Sequence, residues 1–402
     1  MKSFNIDSKL TDLDVIKRAI VTVCKSKRKK PRGQNRKYKQ AQYILKNTDK
    51  CAERILEMVQ AFDRVHGARE RGLPVDPEDV ELMYKPKQCE PFEIRDAGSG
   101  KKRMIISVPI YPDQIIHQLL IEASKPVFMR GMYEYSLGSI PDGGIHKGKK
   151  YLEKTIKRHQ KYDKSAIKYA VELDIEKCYP SINHEILKAQ LKKKFRGKLF
   201  VWLSSTVIDS YYDRETFGQR YGLPLGYSTS HWFCNFYLTP VDHYIKNDLG
   251  IEYYIRYMDD MIFFGRNKKA LHEAVRAIMR YIGKLQLKIK GNWQVFRFDY
   301  IDRVGRRRGR AIDTLGFRFF RDKIILRKRL ALTIRRAVKR VAKMKKVTAH
   351  AAQSLMSRLG WLRHFHSYNF YHEYVLPYIS IRKLKGVIRN ASRKHNQAVQ
   401  AV

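Results

Sequence analysis

The order of apolar and polar positions divides the chain into stretches of different period. From Met1 to about Lys87 the pattern is mainly helical, and "CAERILEMVQAFDRV" (Cys51–Val65) repeats apolar residues at the spacing that puts them on one helix face. Gly72, Pro74 and Pro77 then interrupt it. From Pro91 the period changes to two: "FEIR" and "RMIISV" read as strands flanking the glycine turn "DAGSGKK". "DQIIHQLLIEASKPVF" returns to the helical period, and "GSIPDGGIHKGKK" reads as a glycine-rich basic loop. "YAVELDIEKCYPSI" predicts a strand running to Pro180, and "NHEILKAQLKKKF" a helix capped by Asn183. A long aromatic helix is predicted from His231 to Leu249. "IEYYIRY" and "MIFFG" are strand-like runs joined at Met258-Asp259, the length of a two-residue hairpin turn. "DTLGFRFFRDKIILR" predicts a further β-hairpin, and from Leu330 the chain is basic and helical. The mixture predicts an α+β protein in four segments: a basic, mainly helical extension over 1–90, then 91–170, a sheet-rich 171–326, and basic helices over 327–402.

Charge narrows the function. Of 402 residues, 82 are Lys or Arg and 39 are Asp or Glu, a formal net charge of +43, while 44% are hydrophobic, enough for a sizeable core. Such self-repulsion makes sense if a polyanion is the normal partner, and nucleic acid comes first. A membrane surface fares worse, because no apolar stretch approaches a membrane span and Met1 opens no signal peptide. A ribosome-associated or histone-like protein is the plainer alternative. The run "KSKRKKPRGQNRKYK" (Lys25–Lys39) reads as a loop, either a solvated arm or a phosphate-contacting one. Cys24, Cys51, Cys89, Cys178 and Cys234 form no C-x-x-C pair, which argues against zinc knuckles and disulfides and fits a reducing cytoplasm.

Asp259 and Asp260 break an apolar strand pair, and Asp174 breaks another in "VELDIEKCYPSI". Neighbouring carboxylates repel unless cations neutralise them, and oxygen ligands suit Mg²⁺. Strands side by side would gather the three around two metal ions, the arrangement for attack of a 3′-hydroxyl on a nucleoside triphosphate.

In this order the motifs resemble those of reverse transcriptases of the bacterial or phage type. "YMDD" is similar to motif C, "DIEKCYPSI" to motif A, "GLPLGYSTSHWF" to motif B, "GSGKKRMIISVP" to the fingers hairpin, "LQLKIKGNWQVF" to motif D and "DTLGFRFF" to motif E, from roughly Phe92 to Leu326. The resemblance implies a right-hand polymerase with fingers, an RRM-like antiparallel palm carrying the YMDD hairpin, and a helical thumb. It assigns Asp174, Asp259 and Asp260 to catalysis and, with Ile175, to two Mg²⁺ ions that Mn²⁺ can replace. Lys101 and Arg103 resemble the basic pair on the triphosphate. Tyr179 stands at the steric-gate position, where its ring would clash with a ribose 2′-hydroxyl. Gly222, Leu225 and Gly226 would lie under the nascent base pair, and Lys288 or Lys290 would protonate the leaving pyrophosphate.

Many members carry Gln where this chain has Leu225. The aliphatic residue followed by "GxxTS" is more similar to reverse transcriptases of diversity-generating retroelements, which commonly continue Ser-Gln where this chain has Ser230-His231. The implied partners are an RNA template with a DNA or RNA primer, dNTPs, a structured non-coding RNA and a small basic accessory protein. The rival settings are standalone antiviral defence, RNA synthesis (against which Tyr179 argues) and a non-catalytic RNA scaffold. Neither an RNase H carboxylate set nor an H-N-H pattern is expected after the thumb, and Val347-Thr348-Ala349 is the nearest string to the retron Val-Thr-Gly. In the thumb, Trp361, Phe365 and Tyr368 at helical spacing read as core rather than as stacking platforms, and His364 and His366 lack a metal-binding partner cluster.

Overall fold

A computed structural model describes residues 4–27, 35–95, 102–211 and 220–400. Two compact units emerge, neither continuous in sequence. The first comprises Met1–Gly144, Leu173–Ile262 and His272–Trp293, the second Ile145–Glu172, Phe263–Leu271 and Gln294–Val402. The α+β class expected from the sequence is borne out. Among the described residues no helix is long and apolar enough to cross a membrane.

In the first unit the helix Leu13–Ser26 starts where Asp12 accepts from the N–H groups of Asp14 and Val15. Its apolar face packs on the helices Thr48–Glu70 and Ile115–Gly131. The second of these buries residues nearly all round, as its continuous apolar run requires. Each Ile, Leu or Phe so buried contributes roughly 1.5–3 kcal/mol. Strands β1 (Phe92–Arg95) and β2 (Lys102–Ile105) pair antiparallel, Phe92 opposite Ile105. Both stay largely exposed, so this ribbon lies off the core. The basic run read as a loop is helical at both described ends: Lys25 closes the helix Leu13–Ser26, and a helix begins at Asn35 and reaches Lys46. Asn183 caps the helix His184–Lys194 as predicted, its Oδ1 accepting from the Ile186 N–H at 3.0 Å. The aromatic helix runs Ser228–His243 and continues as a wider turn to Asp248.

Four strands, β3 (Tyr169–Asp174), β4 (Tyr254–Tyr257), β5 (Asp260–Gly265) and β6 (Gln294–Arg297), form one sheet in the order β4-β5-β3-β6. Strand β3 ends at Asp174, not at Pro180. Lys177 takes a left-handed backbone, and Cys178–Ser181 form a helical turn pinned by the Ser181 hydroxyl donating to the Lys177 carbonyl at 2.8 Å.

In the second unit β6 runs antiparallel to β3, with Val171 opposite Val295. The glycine-rich run expected as a loop enters a helix, Gly144–Lys161. Gly148, Leu152, Thr155, Ile156 and His159 share its buried face, a spacing that outweighs the glycines' loop preference. A small hairpin joins β7 (Tyr300–Ile301) to β8 (Arg307–Arg308). The predicted hairpin near Phe317 is three strands, β9 (Ile312–Thr314), β10 (Phe317–Phe319) and β11 (Ile324–Leu326), with β10 central. Basic helices follow at Lys328–Ala342, Ala349–Leu359 and Ile381–Gln400. The helix ending at Leu359 breaks the expected Trp361–Phe365–Tyr368 face. Trp361 packs on Phe317, ring centroids 5.3 Å apart, whereas Tyr368 is 74% exposed.

Candidate active site

Everything in this site belongs to the first unit. Met258 and Asp259 form the turn between β4 and β5, and Met258 holds φ +57°. That backbone costs an L-residue roughly 1–2 kcal/mol, so other contacts must hold it. The holder is Arg256, fully buried in β4. Its Nη1 donates to the Met258 carbonyl at 2.9 Å and to Asn235 Oδ1 at 3.0 Å. The rest of the fork grips Asp242, Nε to Oδ1 at 2.8 Å and Nη2 to Oδ2 at 2.7 Å, where both side chains have 0% exposure. Asn235 also donates to the Gly138 carbonyl at 2.7 Å. A Cβ on Gly138 would meet the Met258 backbone nitrogen at 2.7 Å, so only glycine lets this loop approach the turn.

Asp174 stands at the end of β3, and the next residue reaches the turn: the Ile175 N–H donates to the Asp259 carbonyl at 3.4 Å. On the other side the Lys290 N–H donates to the Asp174 carbonyl at 2.9 Å, and its ammonium pairs with Asp174 Oδ2. Burial works against the Lys290 charge. The Asp174 hydrogen bond and the charges of Asp174, Asp259 and Asp260 outweigh burial and hold the ammonium above its ordinary pKa. All three predicted carboxylates are therefore felt at one point. Burial, followed by the charge of Asp174, raises the Asp259 carboxyl, although its backbone hydrogen bond and the charges of Lys290 and Arg103 oppose this.

Among the described residues no group of three or more His, Cys, Asp or Glu side chains is arranged to hold a metal ion. The chemistry of the donor set nonetheless fits a hard cation. Asp174 Oδ1 is buried without a hydrogen-bond partner, and Asp259 is disfavoured as an anion beside it.

Tyr179 lies one turn beyond Asp174. Its hydroxyl is 2.7 Å from His231 Nδ1, the rings edge to face, and its carbonyl accepts from the Leu223 N–H at 2.9 Å. Burial lowers the His231 pKa below 6.5 and favours the neutral ring, whose Nδ1 shares this hydrogen bond with the tyrosine. Burial also raises the Tyr179 hydroxyl, with Cys234, Cys178 and Asp259 adding to it. The thiols of Cys178 and Cys234 lie 3.8 Å apart as free cysteines.

Gly226 has φ +118°, and a Cβ there would stand 2.0 Å from the Ile106 carbonyl oxygen. The Ile106 N–H donates to the Leu225 carbonyl at 2.8 Å, so the chain after β2 is bonded to this loop. Gly222 also has positive φ, and its carbonyl lies 2.8 Å from His184 Nε2. Arg103 is exposed on β2 and its charge reaches Asp259. Lys101 lies outside the described residues. Of the two candidate lysines, Lys290 reaches the carboxylates; Lys288 is exposed and takes part through its carbonyl, which accepts from Glu176 at 2.8 Å.

Sequence reasoning missed Arg256, Asp242, Asn235 and His231. A charged residue inside the apolar run "YYIRYM" was the available signal for Arg256.

No curated protein matches the chain. Similar solved structures include apo telomerase from Candida tropicalis, at 14% identity and TM-score 0.45, covering 74% of this chain and 56% of that one. A form of it truncated from the C-terminal domain has 13% identity and TM-score 0.39, covering 59% and 53%. Telomerase from Candida albicans in complex with a fragment of telomeric RNA has 11% identity and TM-score 0.43, covering 83% and 66%. The chain thus spans between about half and two thirds of the length of these structures. The model of the family "Reverse transcriptase (RNA-dependent DNA polymerase)" matches residues 85–318, more than half of the chain, and the chain belongs to that family.

Proposed function

We propose that this protein copies RNA into DNA by adding dNTPs to a primer 3′-hydroxyl, with Asp174 and Asp259 as the principal ligands of divalent magnesium and Asp260 and the Ile175 backbone beside them. The observation that carries this is the meeting of Asp174 and the Asp259 turn from separate strands, around the one ammonium of Lys290. When bound, two ions supply activation of the attacking hydroxyl and charge stabilisation at the leaving pyrophosphate. The chain's own residues do the rest. Arg103, with Lys101, holds the triphosphate. Tyr179, fixed by His231, excludes a ribose 2′-hydroxyl. Leu225 and Gly226 floor the nascent base pair, and Lys290 carries the proton to the leaving group. In this reading 91–170 is the fingers with the first palm elements, 171–326 the palm and 327–402 the thumb.

Asp259→Ala tests the assignment. Primer extension on an RNA template should vanish while RNA affinity stays near that of the unsubstituted protein. A scaffold function would leave biological activity intact in that variant, and a preference for NTPs over dNTPs would refute DNA synthesis. For the biological setting we propose mutagenic copying of a dedicated non-coding RNA in a diversity-generating retroelement, with a small basic accessory protein. Leu225 supports this, because it removes the side-chain amide that could check the nucleotide. A template and variable repeat pair beside the gene is the expected observation; its absence points to standalone antiviral defence.

A further inference from the structure

The helix Lys268–Lys284 closes on an uncommon residue. The Gln286 N–H donates to the Gly283 carbonyl at 2.9 Å, and the Leu287 N–H to the Ile282 carbonyl at 3.2 Å. This is the usual way of satisfying the last carbonyls of a helix, and its pivot takes a left-handed backbone. Here the pivot is Gln286, at φ +56°. Glycine or asparagine is the common choice, because a larger side chain crowds that backbone. A residue kept in a sparsely populated conformation points to work done by its side chain.

That side chain makes two bonds through one atom. Gln286 Oε1 accepts from the Tyr221 hydroxyl at 2.6 Å and from Asn183 Nδ2 at 2.8 Å. Asn183 Oδ1 already accepts from the Ile186 N–H, so its amide nitrogen is the group left to face Gln286. The two donors are themselves tied together. Asn183 and Tyr221 form an antiparallel bridge, the His184 N–H donates to the Arg220 carbonyl, and the Gly222 N–H donates to the Ile182 carbonyl, both at 2.9 Å. The residue before the pivot is held from the interior, where the Tyr237 hydroxyl donates to the Leu285 carbonyl at 2.6 Å.

Gln286 therefore joins two parts of the site, all within the first unit. On one side Tyr221 leads directly into the loop that carries Gly222, Leu225 and Gly226. On the other, Lys290 follows four positions on. The run between has little slack. Leu287 and Ile289 are buried, and Ile289 bridges Ile175. The Lys288 carbonyl accepts from Glu176 and the Lys290 N–H donates to Asp174. Whatever fixes Gln286 fixes the start of the run that delivers the Lys290 ammonium to Asp174.

We infer that Gln286 is a positioning residue for Lys290: its amide oxygen, held by Tyr221 and Asn183, sets where the ammonium stands relative to the nucleotide loop. The inference deepens the proposed proton transfer to the leaving pyrophosphate and rests on that reading.

The test is single-turnover addition of a dNTP to a primer on an RNA template by the full chain, resolving the addition rate from the dNTP dissociation constant. Gln286→Leu keeps the bulk and removes the acceptor. It should slow addition about tenfold, part of the roughly 10²-fold expected for Lys290→Ala, and leave dNTP affinity unchanged. Gln286→Glu, which keeps an acceptor oxygen for both donors, should restore the rate to within a few-fold. Gln286→Gly accepts the left-handed backbone at no steric cost, so it should fold well and still be slow, which keeps the test open should Gln286→Leu not fold. In a Lys290→Ala background neither Gln286→Leu nor Gln286→Gly should slow addition further. An equal slowing in that background overturns the inference, because the effect then does not pass through Lys290. So does a loss that falls on dNTP affinity, or a Gln286→Gly protein as fast as the unsubstituted one. Lys290→Ala alone separates the two readings. If it adds nucleotides at full rate, the proton-transfer reading fails. If it is slow while the Gln286 variants are not, only the role of Gln286 falls.

Discussion

Arg256→Leu is the most informative single perturbation of the Met258-Asp259 turn. It leaves Asp242 as an unpaired carboxylate at 0% exposure and removes the donor from Asn235 Oδ1 and from the Met258 carbonyl. Breaking one side of a fully buried ion pair costs about 3–5 kcal/mol, and each orphaned neutral acceptor adds about 1–3. Tyr254 softens this, since its hydroxyl still donates to Asp242 Oδ1 at 2.6 Å. The terms sum to about 5–11 kcal/mol before that allowance, comparable with the 5–15 kcal/mol that holds a typical domain together. Urea melts of the metal-free protein should show the midpoint falling with the slope unchanged. Arg256→Lys separates stability from positioning. It keeps a charge for Asp242 but cannot reach Asp242, Asn235 and Met258 together, so Met258 loses a restraint on its left-handed backbone. Its melt should move by about 1–3 kcal/mol, whereas primer extension should fall about 10²-fold, the scale for a misplaced catalytic group. A melt of Arg256→Leu within 1 kcal/mol of the unsubstituted protein would refute the pair as a structural anchor. Full activity in a folded Arg256→Lys would refute the claim that the guanidinium places Asp259.

Other substitutions test neighbouring steps. Gly226→Ala sets a Cβ against the Ile106 carbonyl at φ +118°, so it should break the Ile106–Leu225 bond and cut extension steeply; thermal melting and single-turnover kinetics check both. Lys290→Ala should slow nucleotide addition by about 10²-fold or more and lower the magnesium concentration for half-activation, because the ammonium on Asp174 competes with metal, while Lys288→Ala should stay within a few-fold. The His231 pair predicts a pH dependence. Burial depresses the folded pKa below 6.5, so the unfolded chain takes up a proton first and stability falls as pH drops through 6.5. At lower pH still, a positive charge forms on the ring beside the Tyr179 hydroxyl and changes the bond that fixes it, and discrimination of dNTPs over NTPs should weaken. His231→Ala should abolish that pH dependence and His231→Asn, which keeps an acceptor, should restore selectivity; neither should alter a Tyr179→Phe protein, whose ring has no hydroxyl to hold.

What was legible in the sequence was whatever broke a local pattern. Asp174 and Asp259 stood out because carboxylates interrupt apolar strands, and the Met258-Asp259 turn because two strand-like runs meet with no room for anything longer. Asn183 declared its cap by position. The failures were non-local. The end of β3 at Asp174 is set by Ile175 bonding the turn and by Lys177 turning left-handed, and neither leaves a periodic trace. The glycines of 144–148 signalled a loop, yet Gly148 sits on a buried helix face, where tertiary packing outweighs intrinsic preference. Lys288 and Lys290 are equivalent in a two-residue alternation, and only the register of Ile289 against Ile175 decides which one meets Asp174. Tyr179 and His231 are 52 positions apart, beyond any local rule.

The same electrostatic logic connects the rest state to the working one. Asp174, Asp259 and Asp260 all act on the one ammonium of Lys290, an exception in a chain of formal charge +43 that must be balanced before any substrate arrives. Lys290 supplies that balance without closing the site, because its ammonium meets Asp174 Oδ2 and leaves Oδ1 with no partner. Asp259 stays disfavoured as an anion, so part of the repulsion persists. In the proposed reading, a divalent ion that relieves both terms would bind the folded chain and not the unfolded one, and would therefore stabilise it by mass action. Magnesium should raise the melting temperature of the protein at neutral pH. Asp259→Asn should melt higher than the unsubstituted protein without metal and gain less from adding it. If magnesium shifts both proteins equally, the ions are not held by these carboxylates.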